Sequence, residues 1–372
     1  MIVFREIAQG KFLLDKNSFK TMHRYDSTLK KMFLSKHNIY ETWDDIRGAN
    51  CKFWIKNESV PHGLLFKYPH LRKNGEIMAN NYGELLVDLI CDKIGMDHTS
   101  YYPCKVILAD GTELEGTLCP SYRSAEYNTE YSAHNITTRY IQSQYDNNFG
   151  FVAPMQHNTV YEYIKQIKTL YPKWVQKTGI SQIKDYLLKM ALLDFLTMQV
   201  DRHWGNFGYL TNSKKGMSSV KVIPLFDNGC SFNGDKAIGK MLALNRSILT
   251  NKHWEKRVIL PMVSGKENAP LLGIRTSLVE LKGERTLVHR KYSENEKSNV
   301  DIFAEEMAEE ILQNKSLLKF YQSLTKLNVE QLFRESGYFP EEVINVASKI
   351  WQGRMQILQQ AIERKRGDAY ER

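Results

Sequence analysis

No stretch of this chain stays apolar for the about 20 residues that a membrane-spanning helix needs, so the sequence offers no anchor in a bilayer. The first residues, MIVFREIAQGKFLLDKNSF, are interrupted by charges and show no small-residue cleavage site, which argues against a secretory leader. Cysteine is scarce and odd in number (Cys51, Cys91, Cys104, Cys119 and Cys230), with no CxxC spacing. That argues against a disulfide framework or a zinc cage, and for a reducing cytosol. No internal repeat of solenoid or propeller length is present.

What remains is a chain of 372 residues, 42% hydrophobic and 25% charged, which are ordinary globular values. Its length fits two lobes or two domains. Lys and Arg outnumber Asp and Glu by 51 to 42, giving a formal charge of +9. Such a balance suits an anionic partner: a nucleotide, a phosphoprotein, nucleic acid or a membrane surface. The excess is spread along the chain, however, and its longest cluster, ERKRGDAYER, carries acids too, so a generally basic surface is favoured over a nucleic-acid stripe. The one stretch that interleaves aromatic and basic residues, KQIKTLYPKWVQK, reads as a solvated helix pair. Neither direct nucleic-acid binding nor a membrane partner is expected.

The first half reads as strands around one helix. CKFWIK and GLLFKY are short β-rich runs separated by the turn-like NESVPH. In ANNYGELLVDLICDKIG, Asn80 or Asn81 can cap a helix whose apolar face is Leu85, Leu86, Leu89, Ile90 and Ile94, and Gly95 ends it. PCKVILA and TELEGTLCPSY then form a hairpin about Asp110-Gly111. The segment SYRSAEYNTEYSAHNITTRY is polar and reads as loop, and helices dominate after it. Thr159 and Glu162 have capping-box spacing. SQIKDYLLKMALLDFLTMQV is apolar nearly all round, the pattern of a buried helix. Residues 264–300 read as an irregular surface excursion. In PEEVINVASKIWQGRMQILQQAIERK, Pro340 sits at an N1-like position, and Val343, Val346, Ala347, Ile350, Trp351, Leu358 and Ile362 share one face. The division expected is 1–123 for a small β-rich lobe and 124–372 for a larger helical one.

The buried helix ends abruptly in VDRHWGN. FGYLT and VKVIPLFD then read as two strands turning about Lys215, which puts Asn206 roughly opposite Asp227 at the open end of the hairpin. Asp201 lies on the loop feeding it. A carboxylate, an amide oxygen and a second carboxylate would converge there, the donor types a magnesium ion takes. A carboxylate set back from the metal can orient or deprotonate a hydroxyl nucleophile. Singly, each residue also suits a plain turn; jointly, a structural turn has no need of three oxygen donors at these spacings. His203 reads as support for the loop rather than a zinc ligand.

Lys67 lies inside an apolar strand, where an unpaired lysine is costly. Either it points outward from an edge strand or it pairs with Glu84 of the following helix, and the downstream motif favours the pair. NESVPHG, Asn57 to Gly63, joins the first two strands and would lie over the phosphates, although it is no G-x-G-x-x-G loop.

VDRHWGNFGYL with VIPLFDNGCSF, the strand lysine of LLFKYP, and FPEEVINVASKIWQGRMQIL together resemble the HipA-like family of bacterial serine/threonine kinases, over about residues 50–365. The resemblance implies an α+β, two-lobed protein-kinase-like fold with ATP and Mg2+ as cofactors. It implies Asp201 as catalytic base, Asn206 and Asp227 holding magnesium, and Lys67, paired with Glu84, on the ATP α/β-phosphates. By it, Asn57 and Ser59 lie in the loop over the phosphates, with Ser59 open to autophosphorylation. The segment Thr117 to Tyr122, including Leu118 and Pro120, is the hinge beside adenine. A protein Ser/Thr acceptor and an antitoxin protein are the implied partners. A lipid or small-molecule kinase shares the D-R-H-x-x-N run, and a silent pseudokinase scaffold is the alternative from another class.

Overall fold

Residues 51–55, 63–68, 70–71, 77–78, 80–107, 113–133, 183–199, 202, 205–233 and 299–370 are described by the computed structural model of the chain. The apolar runs CKFWI and LLFKY form strands β1 (Cys51–Ile55) and β2 (Leu64–Tyr68), paired antiparallel with Lys67 opposite Lys52. Strands β3 (His70–Leu71) and β4 (Ile77–Met78) make a two-stranded ribbon. Strands β5 (Tyr102–Ile107) and β6 (Glu113–Pro120) pair antiparallel, as their hairpin pattern implies, and β6 also pairs with β2. The sheet order is β1-β2-β6-β5, which puts Lys67 in the interior of the sheet. The Asp110-Gly111 turn lies outside the described residues.

Between these strands runs helix α1 (Asn80–Ile94). Leu85 packs with Tyr101 and Cys119 under the sheet, while Leu86, Val87, Ile90 and Cys91 enter the main core. The helix begins at Asn80, which places Asn81 inside the first turn; its buried Oδ1 has no hydrogen-bond partner, so Asn81 is not the cap. At the other end Gly95 adopts φ +68, and the Met96 N–H bonds the Cys91 carbonyl at 3.0 Å, the wrap-back that satisfies a helix terminus.

A second sheet has the order β7-β8-β9, from β7 (Thr129–Ser132), β8 (Gly208–Asn212) and β9 (Gly216–Val222). β7 lies inside the polar stretch 121–140 expected to be loop, of which 121–128 are irregular and 134–140 lie outside the described residues. It is an edge strand whose residues are all half-buried, and such a position tolerates the polar composition that hid it.

Helix α2 (Ile183–Leu196) is buried on nearly every side, as its all-round apolar pattern implies. The C-terminal part is helical: α3 (Asn299–Gln313), α4 (Lys315–Thr325), α5 (Val329–Ser336) and α6 (Glu341–Tyr370). All seven residues assigned to one face of α6 are buried. Pro340 stands just outside that helix, its carbonyl accepting from Val343 and Ile344 at 3.0 and 3.2 Å, rather than in its first turn. The capping-box pair Thr159 and Glu162, and the stretch from 264 to 298, lie outside the described residues. One core cluster runs from α1 through α2 to α6, so α1 packs against the helices as well as under the first sheet. Among the described residues, no helix is long and apolar enough to cross a membrane.

Candidate active site

β2 delivers Lys67 and the second turn of α1 delivers Glu84, both buried, at 5% and 0% exposure. The Lys67 ammonium donates to Glu84 Oε1 and, at 3.0 Å, to Asp227 Oδ1. The outward-pointing alternative for this lysine is thereby excluded. Burial by itself would push the Lys67 pKa down, but the carboxylates of Asp227 and Glu84 outweigh it and hold the ammonium charged, well above its ordinary range. Burial raises the Glu84 carboxyl, with Lys67 opposing. The other Glu84 oxygen accepts the Asn228 N–H at 2.7 Å, so one carboxylate ties the strand lysine to the loop after β9.

That loop is held in an unusual backbone state. Asp227 has φ +57, a left-handed conformation that costs a non-glycine residue about 1–2 kcal/mol. The groups around it are engaged: the Asp227 N–H donates to the Tyr101 hydroxyl at 3.2 Å, and its carbonyl accepts from Gln199 Nε2 at 3.0 Å. Gly83 makes room on the helix side, where a β-carbon would lie 2.5 Å from the Gly229 carbonyl oxygen. The Asp227 side chain keeps 34% exposure, so its carboxylate meets Lys67 on one side and solvent on the other.

Beneath the loop lies Arg202, at 1% exposure. Its Nε and one terminal nitrogen form a two-pronged pair with Asp194 at 2.9 and 3.0 Å. The other terminal nitrogen donates to the Phe226 carbonyl at 2.6 Å, while the nitrogen that bonds Asp194 also donates to the Asn228 amide oxygen at 2.6 Å. Burial raises the Asp194 carboxyl, with Arg202 opposing. α2 ends in the same wrap-back as α1, with Gln199 N–H on the Asp194 carbonyl at 2.9 Å and Met198 at φ +51, and this turn aims Gln199 at Asp227.

Asn206 is 4% exposed in the turn before β8. The Ile223 N–H bonds the Gly208 carbonyl at 3.1 Å, so Asn206 and Asp227 leave the same end of the hairpin. Leu118 is buried in β6 between Phe66 and Tyr102, and Pro120 pairs with Leu64 where β6 ends and the chain passes towards β7. Asn57, Ser59, Asp201 and His203 lie outside the described residues.

Sequence reasoning missed Tyr101, Asp194, Gln199 and Asn228, and the direct contact of Lys67 with Asp227. For Asp194 there was a signal: a carboxylate in the fully apolar half of a buried helix needs a counter-charge, and Arg202 is the next basic residue along the chain. Chemically, the arrangement offers a carboxylate at Asp227 beside a fixed ammonium, with an amide oxygen at Asn206 at the same end of the hairpin. That combination suits a cation bound together with phosphate oxygens.

No protein-family model matches this sequence, and no curated protein matches it either. Among solved structures the chain is similar to the proinflammatory kinase CtkA of Helicobacter pylori, at 14% identity and a TM-score of 0.53, over 86% of this chain and 94% of that one. It is also similar to HipA of Shewanella oneidensis MR-1, solved with HipB and operator DNA of a toxin–antitoxin system. That match has 10% identity and a TM-score of 0.43, over 94% of this chain and 73% of that one, too loose to bear on function. The likeness to CtkA bears on fold: this is the α+β, two-lobed fold of a kinase, with a small β-rich lobe and a larger helical one.

Proposed function

We propose that this chain is an ATP- and magnesium-dependent phosphotransferase of HipA-like type, transferring phosphate to a serine or threonine hydroxyl of a protein. The observation that carries the reading is the meeting of Lys67, Glu84 and Asp227, from a strand, a helix and the loop after a hairpin, inside a kinase fold. As a stability device the cluster makes little sense, because removing each buried ion from water costs several kcal/mol. The Asp227 backbone adds its own strain. Both costs are directed at keeping one carboxylate, partly open to solvent, beside one ammonium.

The donor set of Asp227 and Asn206 is all oxygen and fits magnesium, and these two residues would hold it. Magnesium bound there would neutralise charge on the phosphate oxygens during transfer. Lys67 stays protonated and supplies a positive charge to the α/β-phosphates, with Glu84 fixing where that charge sits. Asp201, one residue before the buried Arg202, takes the proton of the acceptor hydroxyl. Asn57 and Ser59 cover the phosphates, and Leu118 and Pro120 flank adenine. The resemblance of the motifs supplies the acceptor class and, as a partner, an antitoxin protein.

The test is incorporation of γ-phosphate from ATP with magnesium, offered a mixed-protein acceptor and a lipid vesicle in parallel, in wild type and Asp201→Asn. Phosphoserine or phosphothreonine that disappears in the variant is the expected result. Label in lipid instead of protein overturns the acceptor, and ATP binding without turnover overturns the catalytic reading in favour of a scaffold.

A further inference from the structure

We propose that Arg202 is a positioning residue whose buried guanidinium sets the placement of Asp227, an inference that rests on the phosphotransferase reading. Three facts point there. Arg202 follows Asp201 directly in the chain, so its backbone is fixed to the residue that would take the proton. Its side chain ends on both neighbours of Asp227, the Phe226 carbonyl and the Asn228 amide oxygen, each at 2.6 Å. Its counter-charge, Asp194, belongs to the rigid buried helix α2 and takes two parallel bonds at 2.9 and 3.0 Å.

Chemistry argues against a merely structural tie. A leucine would fill the same interior without the cost of an ion removed from water. What a leucine or a lysine cannot do is span three acceptors in one plane: the guanidinium is a flat fork, whereas an ammonium is a point charge. One arginine side chain thus links α2 to the residues on either side of Asp227. Gln199 repeats the device from the same turn, holding the Asp227 carbonyl itself at 3.0 Å. These bonds run from Gln199 and Arg202 to residues 226–228, so they fix where the Asp227 segment sits as well as its conformation.

A displaced Asp227 would hold its metal poorly, so the distinguishing readout is the magnesium concentration giving half-maximal rate at saturating ATP. Arg202→Lys keeps the charge and removes the fork. The expected result is a kcat lower on the order of a hundredfold, a raised magnesium midpoint, and a KM for ATP close to that of wild type. Asn228→Ala leaves the Arg202–Asp194 pair in place and keeps the inference testable where Arg202→Lys does not fold; it is expected to raise the magnesium midpoint by a smaller factor. A variant that is only less stable lowers the folded fraction and leaves the midpoint where it was. Folded variants with wild-type kcat and midpoint, beside an active wild type, overturn the role of Arg202 alone. An inactive wild type overturns the phosphotransferase reading and this inference with it.

Discussion

Lys67 holds two carboxylates at once, one from α1 and one from the loop after β9: its Nζ donates to Glu84 and, at 3.0 Å, to Asp227. The ring of Tyr101 lies 5.6 Å from the same nitrogen, and the Tyr101 hydroxyl accepts from the Asp227 N–H. The small lobe and the loop after β9 are therefore joined through one ammonium. Deleting Lys67 leaves the buried Glu84 carboxylate without its counter-charge.

Removing Lys67 should cost about 3–5 kcal/mol, the usual loss when a buried charge such as Glu84 is left without its partner, and removing Glu84 should cost less because Lys67 keeps Asp227. Glu84→Ala and Lys67→Met each test this by urea denaturation. The double variant Lys67→Met with Glu84→Leu removes both charges and should lose less than the two single losses summed. Strict additivity would show that the two residues do not act as a pair.

Gly83→Ala should destabilise the protein by about 1–3 kcal/mol, the range for overpacking a tight contact. The new β-carbon would meet the backbone oxygens of Gly229 and Asn228 at 2.5 and 2.9 Å, and backbone cannot swing aside as a side chain can. Alanine's helix propensity works the other way by up to about 1 kcal/mol, so the sign of the result decides which effect wins. A Tm equal to or above wild type would show that α1 and the Asp227 loop are not in close contact.

Stability should fall as pH rises above about 6.5, and His98 is the source. Its Nδ1 lies 2.8 Å from the Met96 carbonyl and its Nε2 lies 3.0 Å from Asp88 and 3.5 Å from Asp92, so both ring nitrogens face acceptors, as an imidazolium requires. Burial works against that charge; the hydrogen bonds to Asp88 and Met96 outweigh it and raise the pKa above 6.5. The folded state then binds more protons than the unfolded one, so this contribution is complete below about 6.5 and is lost as pH rises through the folded value. Burial also raises the Asp88 carboxyl, an effect of the same sign at lower pH. His98→Gln should flatten the slope of unfolding free energy against pH, and an unchanged slope would assign it to another group.

Much of the scaffold was legible because each element buries its own face. The apolar runs around Lys67, the face of α1 and the seven buried positions of α6 follow from periodicity alone. A lysine inside an apolar strand needs a counter-charge, which brought Glu84 into view. The network around Asp227 was not legible in the same way. Tyr101 and Gln199 look like ordinary strand-edge and helix-end residues, and each gains its role only when the fold brings it to a loop far away in the chain. β7 was hidden by its polar, half-buried composition. Asp194 and Arg202 fell between these cases, both conspicuous as charges beside a buried helix, with geometry supplied by the fold.

Asp227 itself separates the structural and chemical demands on the site. Its φ of +57 suits asparagine nearly as well as aspartate, whereas alanine lacks the short polar side chain that tolerates this state. An asparagine oxygen can still accept from Lys67, but it carries no charge to offer a divalent cation. Asp227→Asn should therefore keep a Tm close to wild type while phosphate incorporation falls on the order of a hundredfold or more, several kcal/mol of barrier. Asp227→Ala should lose both, because it adds backbone strain and leaves Lys67 with Glu84 alone. Melting curves alongside magnesium-dependent incorporation from ATP distinguish the cases. Undiminished turnover in Asp227→Asn would remove Asp227 from the metal site, and an equal fall in Tm for both variants would mean that the carboxylate is needed mainly to balance Lys67.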